Sequence, residues 1–142
     1  MTIAAILGTK GDEVVTIDAA TTIRAAVMLL AKRRIGAVPV MANGAVAGVF
    51  SERDVIRCVA KHGAAALDRP VGDGMTAPAV TVAPGEPVIG ALSLMSRRRI
   101  RHLPVLDGET LVGFVSIGDL VKFRIDRIEA EASAMREYIT QA

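Results

Sequence analysis

Shifted by 65 positions, the sequence lies over itself without a gap, and this internal repeat constrains the fold more than any other feature. Residues 14–59 then face residues 79–124, with 12 identities in 46 positions. Val15-Thr16 meets Val80-Thr81, and Arg33-Arg34-Ile35 meets Arg98-Arg99-Ile100. Pro39-Val40 meets Pro104-Val105, Gly48 meets Gly113, Ser51 meets Ser116, and Asp54 meets Asp119. Most other pairs set apolar on apolar.

Each copy reads as β-α-β-β-α. A short apolar strand comes first, at 14–17 or 80–82. Ile23, Ala26, Val27 and Leu30 then recur at helical spacing, as do Val88, Ala91, Leu92 and Met95. Thr21 or Thr22 offers a cap to the first helix, and Pro87 suits the start of its counterpart. Both helices close on a basic turn, Lys32-Arg33-Arg34 and Arg97-Arg98-Arg99, which complements the helix dipole. Strands at 36–41 and 45–50 flank Asn43-Gly44, and strands at 101–106 and 110–115 flank Asp107-Gly108; each pair predicts a hairpin. A last helix opens at Ser51–Asp54 or Ser116–Asp119.

One unit of this size cannot close its own core. The expected fold is therefore mixed α+β: two tandem repeats packed sheet to sheet with pseudo-twofold symmetry, plus a C-terminal helix. Repeat 1 spans 3–60, a linker 61–70, repeat 2 71–125 and a helical extension 126–142. Leu120, Phe123, Ile128, Met135 and Ile139 form a rough apolar stripe on that last helix, which has no counterpart in the first copy.

Composition removes several classes. Apolar residues make up 51% and charged residues 23% of 142 residues, a globular balance, and the mean hydropathy is +0.43. The net charge of +2 is too even for bulk binding to nucleic acid or membrane, and aromatics for base stacking are scarce. No run of about 18 apolar residues predicts a membrane span. The N-terminus lacks the basic start of a secretory signal. A single Cys58 excludes an intramolecular disulfide and a multi-Cys metal site, and two distant histidines, His62 and His102, argue against a zinc centre. A reducing, cytoplasmic setting is expected. The methionines read as core filler.

The candidate chemistry sits where strands give way to helices. GVFSERDV (48–55) and GFVSIGDL (113–120) each place a Ser at a helix start and an Asp three positions on. Such an Asp can accept two hydrogen bonds from a vicinal diol, as in a ribose. The bland alternative is a capping box with Asp in place of Glu. IGAVPV (35–40) and IRHLPV (100–105) form a second element. Pro39 and Pro104 lack an N–H, so they belong at an edge or bulge and leave a gap where a flat ring can approach the backbone. Arg101 and His102 suit a phosphate or carboxylate; the first copy has Gly36-Ala37 there, with Arg53 nearby as substitute. The basic clusters read as solvated helix ends, with a phosphate contact from a member such as Arg99 as the alternative.

In combination, these segments and the VGDGMTAPAVTV lead-in resemble a pair of cystathionine β-synthase (CBS) domains, a Bateman module, over about residues 3–125. SERDV, SIGDLV and the closing REYIT are similar to small stand-alone bacterial CBS-pair proteins. The resemblance implies clefts between the repeats that bind adenosine-containing ligands such as AMP, ADP, ATP, NAD or S-adenosylmethionine. It implies that Asp54 and Asp119 hold ribose hydroxyls beside Ser51 and Ser116. Residues before each strand proline, Ala37-Val38 and His102-Leu103, would contact phosphate or base. Thr16 and Thr81 would line the adenine pocket, with Lys10-Gly11 and Thr76–Pro78 closing over it. The family's modules dimerise, often into a flat disc. The chain departs from a symmetric pattern at Gly36-Ala37.

Three functions compete. A regulatory adenine-nucleotide sensor, acting on a partner protein the sequence does not name, fits best. An interaction module with empty clefts is the alternative. A nucleotide-processing enzyme is disfavoured: it needs a general base, and only Asp54, Asp119 and His102 offer themselves, with no second carboxylate paired to either Asp in the motif. No catalytic residue, metal or catalytic cofactor is assigned.

Overall fold

The computed structural model describes residues 1–11 and 13–141; the final position of the expected extension, 142, lies outside them. The elements in order are α1 (Ile3–Lys10), β1 (Ile17–Asp18), α2 (Ile23–Arg33), β2 (Ala37–Ala42), β3 (Ala45–Ser51), α3 (Glu52–His62), a 3-10 turn (Gly63–Asp68), α4 (Val71–Gly74), α5 (Val88–Arg98), β4 (His102–Asp107), β5 (Thr110–Ser116) and α6 (Ile117–Gln141). Two sheets result, ordered β1-β2-β3 and β4-β5, and they approach each other through β3 and β5. The β-α-β-β-α plan is complete in the first half; in the second its opening strand is reduced to an isolated bridge.

Local chemistry accounts for most of these boundaries. The Thr22 hydroxyl caps α2 by accepting from the Ala25 N–H at 3.2 Å, and Pro87 stands at the start of α5. Both helices stop at a left-handed arginine, Arg34 (φ 54) and Arg99 (φ 55). Asn43 (φ 54) and Gly44 (φ 78) take the two left-handed positions that a tight β2–β3 hairpin demands.

The strands at 14–17 and 80–82 are shorter than expected. The first reduces to Ile17–Asp18, parallel to Val40-Met41; the second reduces to one parallel bridge, Val82 to Val105. The prolines explain this. The Leu106 N–H donates to the Val82 carbonyl at 2.9 Å, so the next bond in that register would run from residue 104 to the Val80 carbonyl. Pro104 has no N–H, and the ladder ends. Pro39 stands in the same relation to Val15. Pro39 is thus on the central strand of its sheet rather than an edge, beside the place where β1 has stopped, and each β-bulge falls one residue later.

Each repeat completes its core with the opening segment of the other. Ile3 and Ile6 of α1 are buried among Val88, Met95, Leu103 and Leu120 of repeat 2. Val71 of α4 is buried among Ile23, Leu30 and Phe50 of repeat 1. These lead-ins cross the strands at glycines. A Cβ on Gly48 would lie 2.6 Å from the Thr76 carbonyl oxygen, and one on Gly113 would strike the Leu7 side chain. The identity of Gly48 and Gly113 in the repeat is a packing requirement. Two methionines expected in the core, Met28 and Met135, are exposed, whereas Met95 is buried.

Candidate functional site

At the start of α3, Ser51 and Asp54 form a complete capping box. Asp54 Oδ2 accepts from the Ser51 N–H at 2.8 Å and from the Ser51 hydroxyl at 3.1 Å. Its Oδ1 accepts from the Thr76 hydroxyl at 3.0 Å and pairs with Arg57 Nη1 at 3.1 Å. Asp54 is 1% exposed. The sequence left this residue between a capping box and, as the resemblance implies, a ribose contact; the structure shows the capping box, with four protein donors on the carboxylate. Its counterpart differs. Asp119 Oδ2 accepts from the Ser116 N–H at 2.8 Å and from Lys10 Nζ at 2.6 Å, while no hydrogen bond reaches Oδ1 among the described residues. Burial alone would raise the Asp119 pKa, but Lys10 and Ser116 outweigh it and hold the group below 3.8.

A cleft of about 680 Å³ opens between the repeats. Repeat 1 supplies Ser51, Glu52, Arg53, Asp54 and Arg57 from the β3–α3 junction. Repeat 2 and its lead-in supply Thr76, Val80, Arg98, Arg99, Arg101 and His102. Five arginines therefore face Glu52 and Asp54. Among the described residues, no carboxylate stands within ion-pair distance of Arg98, Arg99 or Arg101. Arg53 reaches across the cleft to donate from Nη1 to the Arg99 carbonyl at 3.1 Å, which the left-handed turn at Arg99 exposes.

His102 stacks on Phe114 with ring centroids 5.5 Å apart and planes 13° apart. Its Cε1 lies 3.5 Å from where a Gly36 Cβ would be, so the small residue in copy one makes room for the imidazole of copy two. Burial, then the nearby Lys10 ammonium, lowers the His102 pKa from its ordinary 6.5.

The sequence named matching candidates in each copy and, by resemblance, clefts between the repeats; the structure shows which candidates from the two copies meet. Ser51, Arg53, Asp54, Thr76, Arg99, Arg101 and His102 share the cleft. Ser116, Asp119 and Lys10 form a separate cluster, with Lys10 Nζ also donating to the Phe114 carbonyl at 2.6 Å. Ala37, Val38 and Leu103 are buried. Pro39 and Pro104 are buried too, whereas Thr16, Gly11 and Pro78 are exposed and Thr81 is half-buried, all outside the lining of the cleft. Arg57 was not among the sequence candidates, and Arg98 entered only as a member of the basic cluster at 97–99. Arg57 was findable, since it stands one helical turn after Asp54 on α3. Among the described residues no cluster suits a metal ion, and no helix is long and apolar enough to cross a membrane.

A duplicated α+β chain with a charge-lined cleft at the junction of its halves is a paired-repeat fold. The family model for the CBS domain matches residues 9–61 and 70–126, and the chain belongs to that family. It is 35% identical over 123 residues to the mitochondrial CBS domain-containing protein CBSX3 of Arabidopsis thaliana, covering 83% of this chain and 60% of that one. It is 31% identical over 117 residues to the CBS domain-containing protein YhcV of Bacillus subtilis, covering 82% and 83%. Among solved structures, a CBS-domain-containing protein from Agrobacterium tumefaciens superposes with a TM-score of 0.84 at 37% identity, covering 87% of this chain and 99% of that one. A CBS domain protein from Pyrobaculum aerophilum, complexed with AMP, superposes at 0.74 with 32% identity, covering 84% and 89%.

Proposed function

We propose that the chain is a regulatory module whose inter-repeat cleft binds an adenine nucleotide, with phosphate affinity as its main discriminator. One observation carries this: Arg98, Arg99 and Arg101 converge on a cleft of about 680 Å³, unpaired with any described carboxylate. Guanidinium forks match phosphate oxygens, and a cationic cleft with low-dielectric walls concentrates anions. Val49, Ile56, Val80 and Ile100 provide apolar wall for a base. The Val80 carbonyl, which Pro104 cannot engage, is an acceptor for an exocyclic amine. The relative complexed with AMP supports this ligand class.

A ligand here touches both repeats at once, so occupancy favours whichever relation of the two binds it better. That is the means by which a non-catalytic module would signal to a partner protein. The saturation of Asp54 moves the recognition of phosphate ahead of ribose. It also gives the alternative, an interaction module with empty clefts, its one specific support.

Calorimetry of the purified chain against adenosine, AMP, ADP and ATP at fixed ionic strength tests the proposal. Affinity is expected to rise with phosphate number, ATP exceeding adenosine by about tenfold or more. Arg101→Ala should lower ATP affinity about tenfold and leave adenosine nearly unchanged. No binding by any of the four ligands would favour the empty-cleft reading.

A further inference from the structure

The body of the molecule uses only the first turns of α6. Leu120 is fully buried and Phe123 packs against the repeat 2 core, but every described residue from 124 to 141 is exposed. The apolar residues on this helix therefore occupy two faces, where the sequence suggested one stripe. The exposed face consists of Val121, Ile125, Ile128, Ala132, Met135 and Ile139. Their spacings are 4, 3, 4, 3 and 4, an unbroken heptad alternation. A solvent-bathed helix of this length is marginal alone in water.

The flanking charges select the occupant. With Ile125, Ala132 and Ile139 at position a and Val121, Ile128 and Met135 at position d, position g carries Arg124 and Glu131, and position e carries Lys122, Glu129 and Arg136. In a parallel in-register pair, each g residue faces the partner's e residue five positions on. Arg124 then meets the partner's Glu129, and Glu131 meets the partner's Arg136. An antiparallel pair centred on the same seam sets Glu129 against the partner's Glu129, Glu131 against the partner's Glu131, and Lys122 against the partner's Arg136. Every one of those contacts is repulsive.

We propose that the exposed face of α6 is the seam of a parallel two-stranded coiled coil with a second copy of this chain. The small Ala132 at a central a position lets two helices approach closely. Two inter-repeat clefts are thereby held on one side of a shared stalk.

Sedimentation equilibrium of the full chain at micromolar concentration should give twice the 14.9 kDa chain mass. Ile125→Asp with Ile128→Asp should raise the dimer dissociation constant by about tenfold or more. Charge reversal avoids any doubt about folding, since all four residues are exposed. Glu129→Arg with Glu131→Arg, or Arg124→Glu with Arg136→Glu, should each weaken the dimer, and mixing the two variants should restore it. Ile139→Cys should form an intermolecular disulfide on mild oxidation that the wild-type chain does not, as only a parallel pair aligns the two sulfurs. A wild-type monomer, a three-chain mass, a dimer indifferent to charge reversal, or no cross-link at 139 would each overturn the proposal.

Discussion

The two motif aspartates look alike in sequence and do different work. Asp54 is buried and meets four donors, whereas the Asp119 side chain keeps 29% exposure and relies on Lys10 and Ser116. Asp54→Ala strands the Ser51 N–H, the Thr76 hydroxyl and Arg57 and is expected to cost about 2–4 kcal/mol. Asp119→Ala loses a cap and a half-exposed ion pair, for about 1–2 kcal/mol. Urea denaturation of both variants checks the order; an equal or reversed order would contradict the geometry. His102 adds a pH signature. Its folded pKa lies below the unfolded 6.5, so the unfolded chain binds the proton first and stability falls as pH drops through and below 6.5. Asp119, held below 3.8, contributes stability that is present above that value and lost beneath it. His102→Gln should flatten the upper limb of the stability profile and leave the lower one. The Ser-x-x-Asp spacing was legible as both cap and ligand site. What fills the Asp54 carboxylate was not, because Thr76 arrives from 22 positions away.

Elements followed the sequence where the code is local. Hairpins, helix periodicity and caps depend on neighbours within about four residues, and those boundaries agree within a residue or two. The strand lead-ins were overestimated because an apolar run does not reveal that the facing strand lacks an N–H. The helix α1 was not foreseen at all; its apolar residues gain meaning only against repeat 2. The glycine crossings give a test at this scale. Gly48→Ala presses a methyl against the Thr76 backbone, whose two bonds to Val49 hold it at 2.9 and 3.0 Å, and should cost about 2–3 kcal/mol. Gly113→Ala meets only the end of the Leu7 side chain, which can turn aside, and should cost about 1 kcal/mol. Thermal melts by circular dichroism measure both; equal losses would mean the two crossings are equally rigid.

At the scale of the molecule, the exchange of lead-ins ties two cores into one. Ile3 and Ile6 sit in the core of repeat 2, and Val71 sits in that of repeat 1. Neither repeat can unfold without stripping cover from the other, so chemical denaturation should follow a single transition by every probe. Removing residues 1–10 exposes the repeat 2 core and should abolish that cooperativity, while two separate transitions in the intact chain would refute the coupling. The amino-acid order alone determined the duplication, the element types, the hairpins and the residues that bear charge at the helix starts. All of these are written in short-range periodicity and in self-similarity at a fixed offset. Only the tertiary structure decided which lead-in covers which core, which arginines meet in the cleft, and that Asp54 is spoken for while Asp119 keeps an open oxygen among the described residues. Those outcomes hang on contacts such as Lys10 with Asp119, 109 positions apart, and no local pattern in a chain encodes which distant partner a side chain will meet.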